Sequence, residues 1–213
     1  MKTIVKSTPA PACLSRAQQA GWNWDQFHKQ DHEGYLDVRC LALHDQKNEC
    51  AYTGLWLGEG TKQIVHIDHF RKKGIYQDQE FVWDNLFAAA KERNDGADFK
   101  DGHISGPQET ADAAYSVFWS PLQANLENNF RYRPDGTILP AYNLTKADEV
   151  KSQKTIEIFN LNSPDLKNRR YGIIQLIGTL SDLSDDDIRT CLATQGFSFL
   201  VNFELAHRKR DSE

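Results

Sequence analysis

Apolar and polar side chains alternate through KQIVHIDHF, residues 62–70, a period of two that predicts a half-buried strand. Two stretches before it follow the longer period of helices: SRAQQAGWNWDQFHKQ, residues 15–30, and YLDVRCLALHDQ, residues 35–46. In the second, Leu36, Cys40 and Leu43 recur at three and four residues and predict one apolar stripe. Pro9 and Pro11 mark the opening as an extended lead, and CAYTG at 50–54 is turn-like. After the alternating stretch, RKKGIYQDQEFVWDN predicts a long connection. NLFAAAKER, residues 85–93, fits two patterns. Its alanines, lysine and glutamate favour a helix, while its short apolar run could close a hairpin with the strand before it.

Turn formers fill NDGADFKDGHISGP, and AAYSVFWSPL returns to apolar structure. FRYRPDGTILPAY places a Pro-Asp-Gly turn between two short strands. Ser163 before Pro164, and Ser184 with Asp187, signal helix starts in the last third. The pattern predicts an α+β protein with helices around a small centre. It divides into a lead and helices over 1–48, a strand-bearing centre over 49–110, and a mostly helical region over 111–213. Ile173, Ile174, Leu176 and Ile177 make an apolar surface too wide for one contact, and Phe197, Phe199, Leu200, Phe203 and Leu205 make a second. Residues from about 145 onward are therefore expected to serve a partner more than the chemistry, and a chain cut before Gly196 to stay folded while losing that partner.

At 213 residues, 39% hydrophobic and 26% charged, the chain is long enough for one substantial core. No apolar run approaches the roughly 18 residues that cross a bilayer. The opening MKTIVKSTPAPAC lacks the hydrophobic segment of a signal peptide, so the cytoplasm is the expected location and no membrane partner is expected. Cys13, Cys40, Cys50 and Cys191 form no CxxC pair, which predicts reduced thiols. A net charge of −5 argues against a globally basic nucleic-acid surface. Basic clusters are local: Arg71, Lys72 and Lys73, then Arg131 and Arg133 around Tyr132, then HRKR at 207–210.

The chemistry concentrates in VHIDHF. Alternation puts His66 and Asp68 on one face of the strand and Ile67 and His69 on the other. A carboxylate beside an imidazole at a strand end can hold a divalent cation while the neutral imidazole takes a proton from water. Asn85 and Asn94 follow within thirty residues, and an amide oxygen also suits a hard cation such as magnesium. His66 could touch the metal or substrate but reads more readily as a structural histidine. His103 could orient a ligand but reads more readily as an exposed loop histidine. His28, His32, His44 and His207 have no constellation around them, and Trp22 and Trp24 read as core or partner-facing anchors.

The order Asp-His, Asn, Asn resembles the HNH nuclease motif, a ββα-metal site built on a hairpin and a following helix. With VRCLALHDQKNECAYTG, WDNLF, FRYRPDGTILP and TIEIFNLNSPDLKNRR, the chain is similar over roughly residues 36–178 to the PtuB-like nuclease subunits of Septu and retron anti-phage systems. The resemblance implies that Asp68 ligates the metal, His69 is the general base, Asn85 pins the loop carrying His69, and Asn94 is the second ligand. It also makes Leu86 to Ala88 the second hairpin strand, with a helix starting near Asn94. Magnesium or manganese is the implied cofactor. A structural zinc is not expected, because Cys50 alone remains of two CxxC knuckles, with Thr53, Ala90 and Arg93 in the other places. Ala97 stands where a lysine often follows the last ligand, so phosphate contacts fall to Lys91, Arg93 or Lys100, with Arg71, Lys72 and Lys73 nearby. The implied partners are a nucleic-acid substrate, a PtuA-like ABC-type ATPase and, in retron systems, a reverse transcriptase with its RNA-linked DNA. The competing expectation is a ββα unit kept as an inactive scaffold or nucleic-acid-binding module.

Overall fold

The computed structural model describes residues 1–61, 64–91 and 95–208. An extended lead runs to Pro11 and is followed by α1 (Ala12–Gln19), α2 (Trp24–Gln30) and α3 (His32–Asp45). Asn23 and Gln26 close a reciprocal capping box on α2, and Asp31 caps α3 through the Gly34 N–H. The stripe expected on α3 is not the buried one. Gly34, Val38 and Ala42 face inward, while Cys40 is exposed. Close approach of α1 selects small residues there, since a Cβ on Gly34 would lie 2.8 Å from the Cys13 Cβ.

The alternating stretch forms β1 (Val65–His69), which pairs antiparallel with β2 (Leu86–Ala90) in the register Asp68↔Phe87 and His69↔Leu86. Helix propensity loses in NLFAAAKER because β2 is buried along its whole length. Gln46 bonds to its outer edge as a neighbouring strand would, its Nε2 donating to Ala88 O at 2.7 Å and its Oε1 accepting Ala88 N–H at 2.8 Å. Then come α4 (Gly96–His103), which packs on β2, and α5 (Gln108–Ser116). The Pro-Asp-Gly turn joins β3 (Phe130–Tyr132) to β4 (Ile138–Pro140) as an antiparallel pair. The protein is thus α+β, with two small antiparallel sheets among its described residues.

Four helices follow: α6 (Lys146–Ile158), α7 (Pro164–Thr179), α8 (Asp185–Cys191) and α9 (Ser198–Arg208). Ser163 and Ser184 cap α7 and α8 as their positions predict. Buried Arg170 of α7 donates from Nε to Gly136 O and from Nη2 to Leu161 O, both at 2.6 Å, tying the helix to the β3–β4 turn.

One hydrophobic cluster takes side chains from every part of the chain, among them Ile4, Phe27, Leu86, Phe118, Ile173 and Leu200. The second apolar surface expected near residues 197–205 is absorbed by it. Phe197, Phe199, Leu200 and Leu205 are buried, and Phe197 N donates to Gly54 O at 2.7 Å. Gly196, at φ +79°, lets the chain pass so close that a Cβ would lie 2.6 Å from that same oxygen. Glu49 accepts Ser198 N–H at 2.7 Å, Ser198 Oγ–H at 2.8 Å and the Lys2 ammonium at 2.5 Å. On α7, Ile173 and Ile177 face inward, while Tyr171 and Leu176 are exposed. No helix among the described residues is long and apolar enough to cross a membrane.

Candidate functional site

Cross-strand pairing puts Asp68 beside Phe87 and His66 beside Ala89 on one face of the hairpin, with Ile67 and His69 on the other. Beneath Asp68 lies a buried polar core. The Tyr52 hydroxyl and the Lys100 ammonium both donate to Oδ2, the ammonium at 2.8 Å. Lys100 is 0 % exposed and has two further acceptors, His69 O at 2.9 Å and Phe70 O at 3.1 Å. All three of its protons are therefore used where β1 ends. Asp101 Oδ1 lies 3.2 Å from the same nitrogen. Burial, then the charge of Asp68, pushes the Tyr52 hydroxyl well above its usual range, so it stays a neutral donor.

His69 faces the N-terminal helices. Its Nε2 lies 3.0 Å from Glu80 O, and a carbonyl oxygen only accepts, so Nε2 carries the proton and Nδ1 the lone pair. The Trp24 ring meets the imidazole edge-on at 4.6 Å, and the Glu80 carboxylate holds the Trp24 N–H at 2.8 Å. The ring is 6 % exposed, and burial lowers its pKa to about 4 against the opposing pull of Asp68. It is a neutral base at pH 7. Asn85 closes the intervening loop: its Oδ1 accepts Arg71 N–H at 2.7 Å, and its Nδ2 donates to Arg71 O at 3.0 Å and Gln79 O at 3.1 Å. The loop that leaves His69 is thus anchored at both ends by one amide.

The other predicted residues are spread more widely. His66 shares the Asp68 face, with its Nδ1 buried and without a hydrogen-bond partner among the described residues. His103 is exposed and bonds Phe99 O in its own helix at 2.9 Å. One of the proposed phosphate contacts, Lys100, is corrected by its burial. Lys100 is internal, and the Lys72 ammonium closes the end of α4 by donating to Asp101 O and Ile104 O, each at 2.9 Å. Carbonyls at a helix C-terminus attract a cation, which holds Lys72 there. Arg71 pairs with Asp112 at 2.6 Å and lies over the Tyr76 and Tyr115 rings. Lys73 pairs with exposed Asp25 at 2.7 Å, and Lys91 is exposed. Arg93 and Asn94 lie outside the described residues.

Sequence reasoning missed Tyr52, Glu80 and the inward course of Lys100, while Trp24 is the buried anchor expected of it. A signal existed for Lys100, which shares the buried face of α4 with Gly96 and Ala97, where an ammonium requires partners. Trp24 and Tyr52 lie far along the chain from the residues they touch, and no local pattern links them.

For a divalent cation, Asp68 presents Oδ1, a hard anionic oxygen with no hydrogen bond to a described residue, while Oδ2 is taken by Tyr52 and Lys100. Among the described residues no three His, Cys, Asp or Glu side chains converge on a metal position. Of the implied ligands, Asp68 Oδ1 is the one the described residues contain, since Asn94 lies outside them. No protein-family model matches the sequence, and no curated protein matches it.

Proposed function

We propose that the chain is an HNH-type, metal-dependent endonuclease hydrolysing nucleic-acid phosphodiester bonds, with β1, β2 and α4 as its ββα-metal unit. The observation that carries this reading is the state of His69: a neutral imidazole with its proton fixed on Nε2 by Glu80 O, directly after Asp68. That arrangement leaves the Nδ1 lone pair to accept a proton from water, whose oxygen then attacks phosphorus while the P–O bond to the departing oxygen breaks. The nearby Asp68 charge favours the imidazolium that results. Asn85 keeps the loop, and with it the imidazole, in place. Asp68 Oδ1 and Asn94 would hold magnesium or manganese, which when bound neutralises charge on the phosphate and the departing oxygen. Among the described residues, exposed Lys91 and half-exposed Lys73, which pairs with Asp25, offer cations to the nucleic-acid backbone.

By the family resemblance the chain acts in the cytoplasm as the effector of a Septu- or retron-type defence complex. Its ATPase partner is PtuA-like, and in retrons it is joined by a reverse transcriptase with its RNA-linked DNA. Tyr171, Leu176 and Leu183 are separately exposed apolar side chains that such a partner could cover. A second reading, a nucleic-acid-binding module without catalysis, is favoured by the enclosure of His69 under Trp24 and of Asp68 by Lys100. Incubation of the complex with DNA and with total RNA, under magnesium or manganese, separates the two. Cleavage lost in His69→Ala with binding retained supports the nuclease. Cleavage unchanged in that variant overturns the role of His69, and binding without cleavage by the unaltered chain establishes the second reading.

A further inference from the structure

We infer that Lys100 makes cation binding at Asp68 conditional on substrate: the divalent ion is held only when a phosphodiester enters with it. This rests on the nuclease reading above.

One positive charge beside Asp68 is fixed in place. The Lys100 ammonium is 2.8 Å from Asp68 Oδ2, wholly buried, and held by two backbone carbonyls as well. It is 0 % exposed, and buried charges are little screened by salt. A cation on Oδ1 of the same carboxylate would sit within a few ångströms of it. Half of the carboxylate is already committed to the ammonium and to the Tyr52 hydroxyl.

The local charge leads to the same conclusion. Asp68 and Asp101 are two carboxylates around the one ammonium of Lys100, so this triplet stands at minus one. A bare divalent ion would carry it to plus one inside a site of low exposure. A phosphodiester, with its single negative charge, brings it to zero. Lys72, whose ammonium caps α4 beside Asp101, adds positive charge and sharpens the preference. Ion and phosphate are therefore favoured together and disfavoured apart.

The test is a manganese titration of the full chain followed by electron paramagnetic resonance. It is run with and without an uncleavable phosphorothioate oligothymidylate whose own binding is followed by fluorescence anisotropy. The unaltered chain alone should hold manganese no better than millimolar, and the oligonucleotide should tighten it at least tenfold. Lys100→Gln, which keeps a donor for the carbonyls but removes the charge, should bind manganese at least tenfold more tightly without oligonucleotide. The comparison within the unaltered chain stands even where that variant does not fold. Micromolar manganese binding by the unaltered chain, indifferent to bound oligonucleotide, overturns the inference and leaves the nuclease reading intact. Failure to bind manganese even beside the bound oligonucleotide overturns both.

Discussion

Three backbone groups, the N–H and C=O of Arg71 and the C=O of Gln79, depend on the amide of Asn85. Asn85→Ala leaves them without that partner in a half-buried loop and should cost about 1 kcal/mol, read as a lower urea midpoint with an unchanged slope. His69 predicts a pH dependence. Burial lowers its folded pKa from 6.5 to about 4, so between those values the unfolded chain binds a proton that the folded chain refuses. This contribution to stability is complete above pH 6.5 and is lost as pH falls toward 4, by about 2 kcal/mol between pH 7 and pH 5. His69→Gln should flatten that part of the curve in urea denaturation at the two pH values. Asp68, His69 and Asn85 were legible in the sequence because their types and spacing carry the chemistry themselves. Lys100 was visible only as a charge. What the ammonium does depends on Asp68, thirty-two positions away, and on carbonyls that have no residue-type signature.

Elements were legible where local chemistry and tertiary packing agree. Ser163, Ser184 and the Pro-Asp-Gly turn marked their boundaries because caps and turns are satisfied by neighbours in sequence. The alanines of β2 were ambiguous because their preference is overruled by Gln46 and α4 closing in on both sides. The stripe on α3 was misplaced for a related reason: close helix packing there prefers Gly34 and Ala42 to larger residues. α4 provides a sharper test. Lys100→Met removes the partner of a buried carboxylate and should lose about 3–5 kcal/mol, whereas Lys91→Met, at an exposed position, should stay within about 0.5 kcal/mol. Equal stability of the two variants in thermal unfolding would show that the pair under β1 holds nothing.

At the scale of the molecule, α9 is structural. Phe199, Leu200, Val201 and Leu205 are its buried side chains, each worth about 1.5–3 kcal/mol, set against the roughly 5–15 kcal/mol that stabilises a whole domain. A chain ending at Gln195 should therefore lose its helical circular dichroism and become sensitive to protease. A truncated chain that stays folded and loses only its ATPase would restore the expectation drawn from the sequence. Apolarity near the C-terminus was plain, but composition cannot tell an interface from a core. The contacts that decide the matter run from Phe197 to Gly54 and from Ser198 to Glu49. They also set an order of events during synthesis. Glu49 waits for Ser198, Gly54 waits for Phe197, and the segment between them carries Tyr52, which holds Asp68. Asp68 and His69 leave the ribosome early, yet their surroundings are completed only when α9 emerges, since long-range contacts form last. A nascent chain of the proposed nuclease thus carries Asp68 and His69 through the synthesis of every element from β2 to α8 without finished surroundings, beside the very RNA it could otherwise cut.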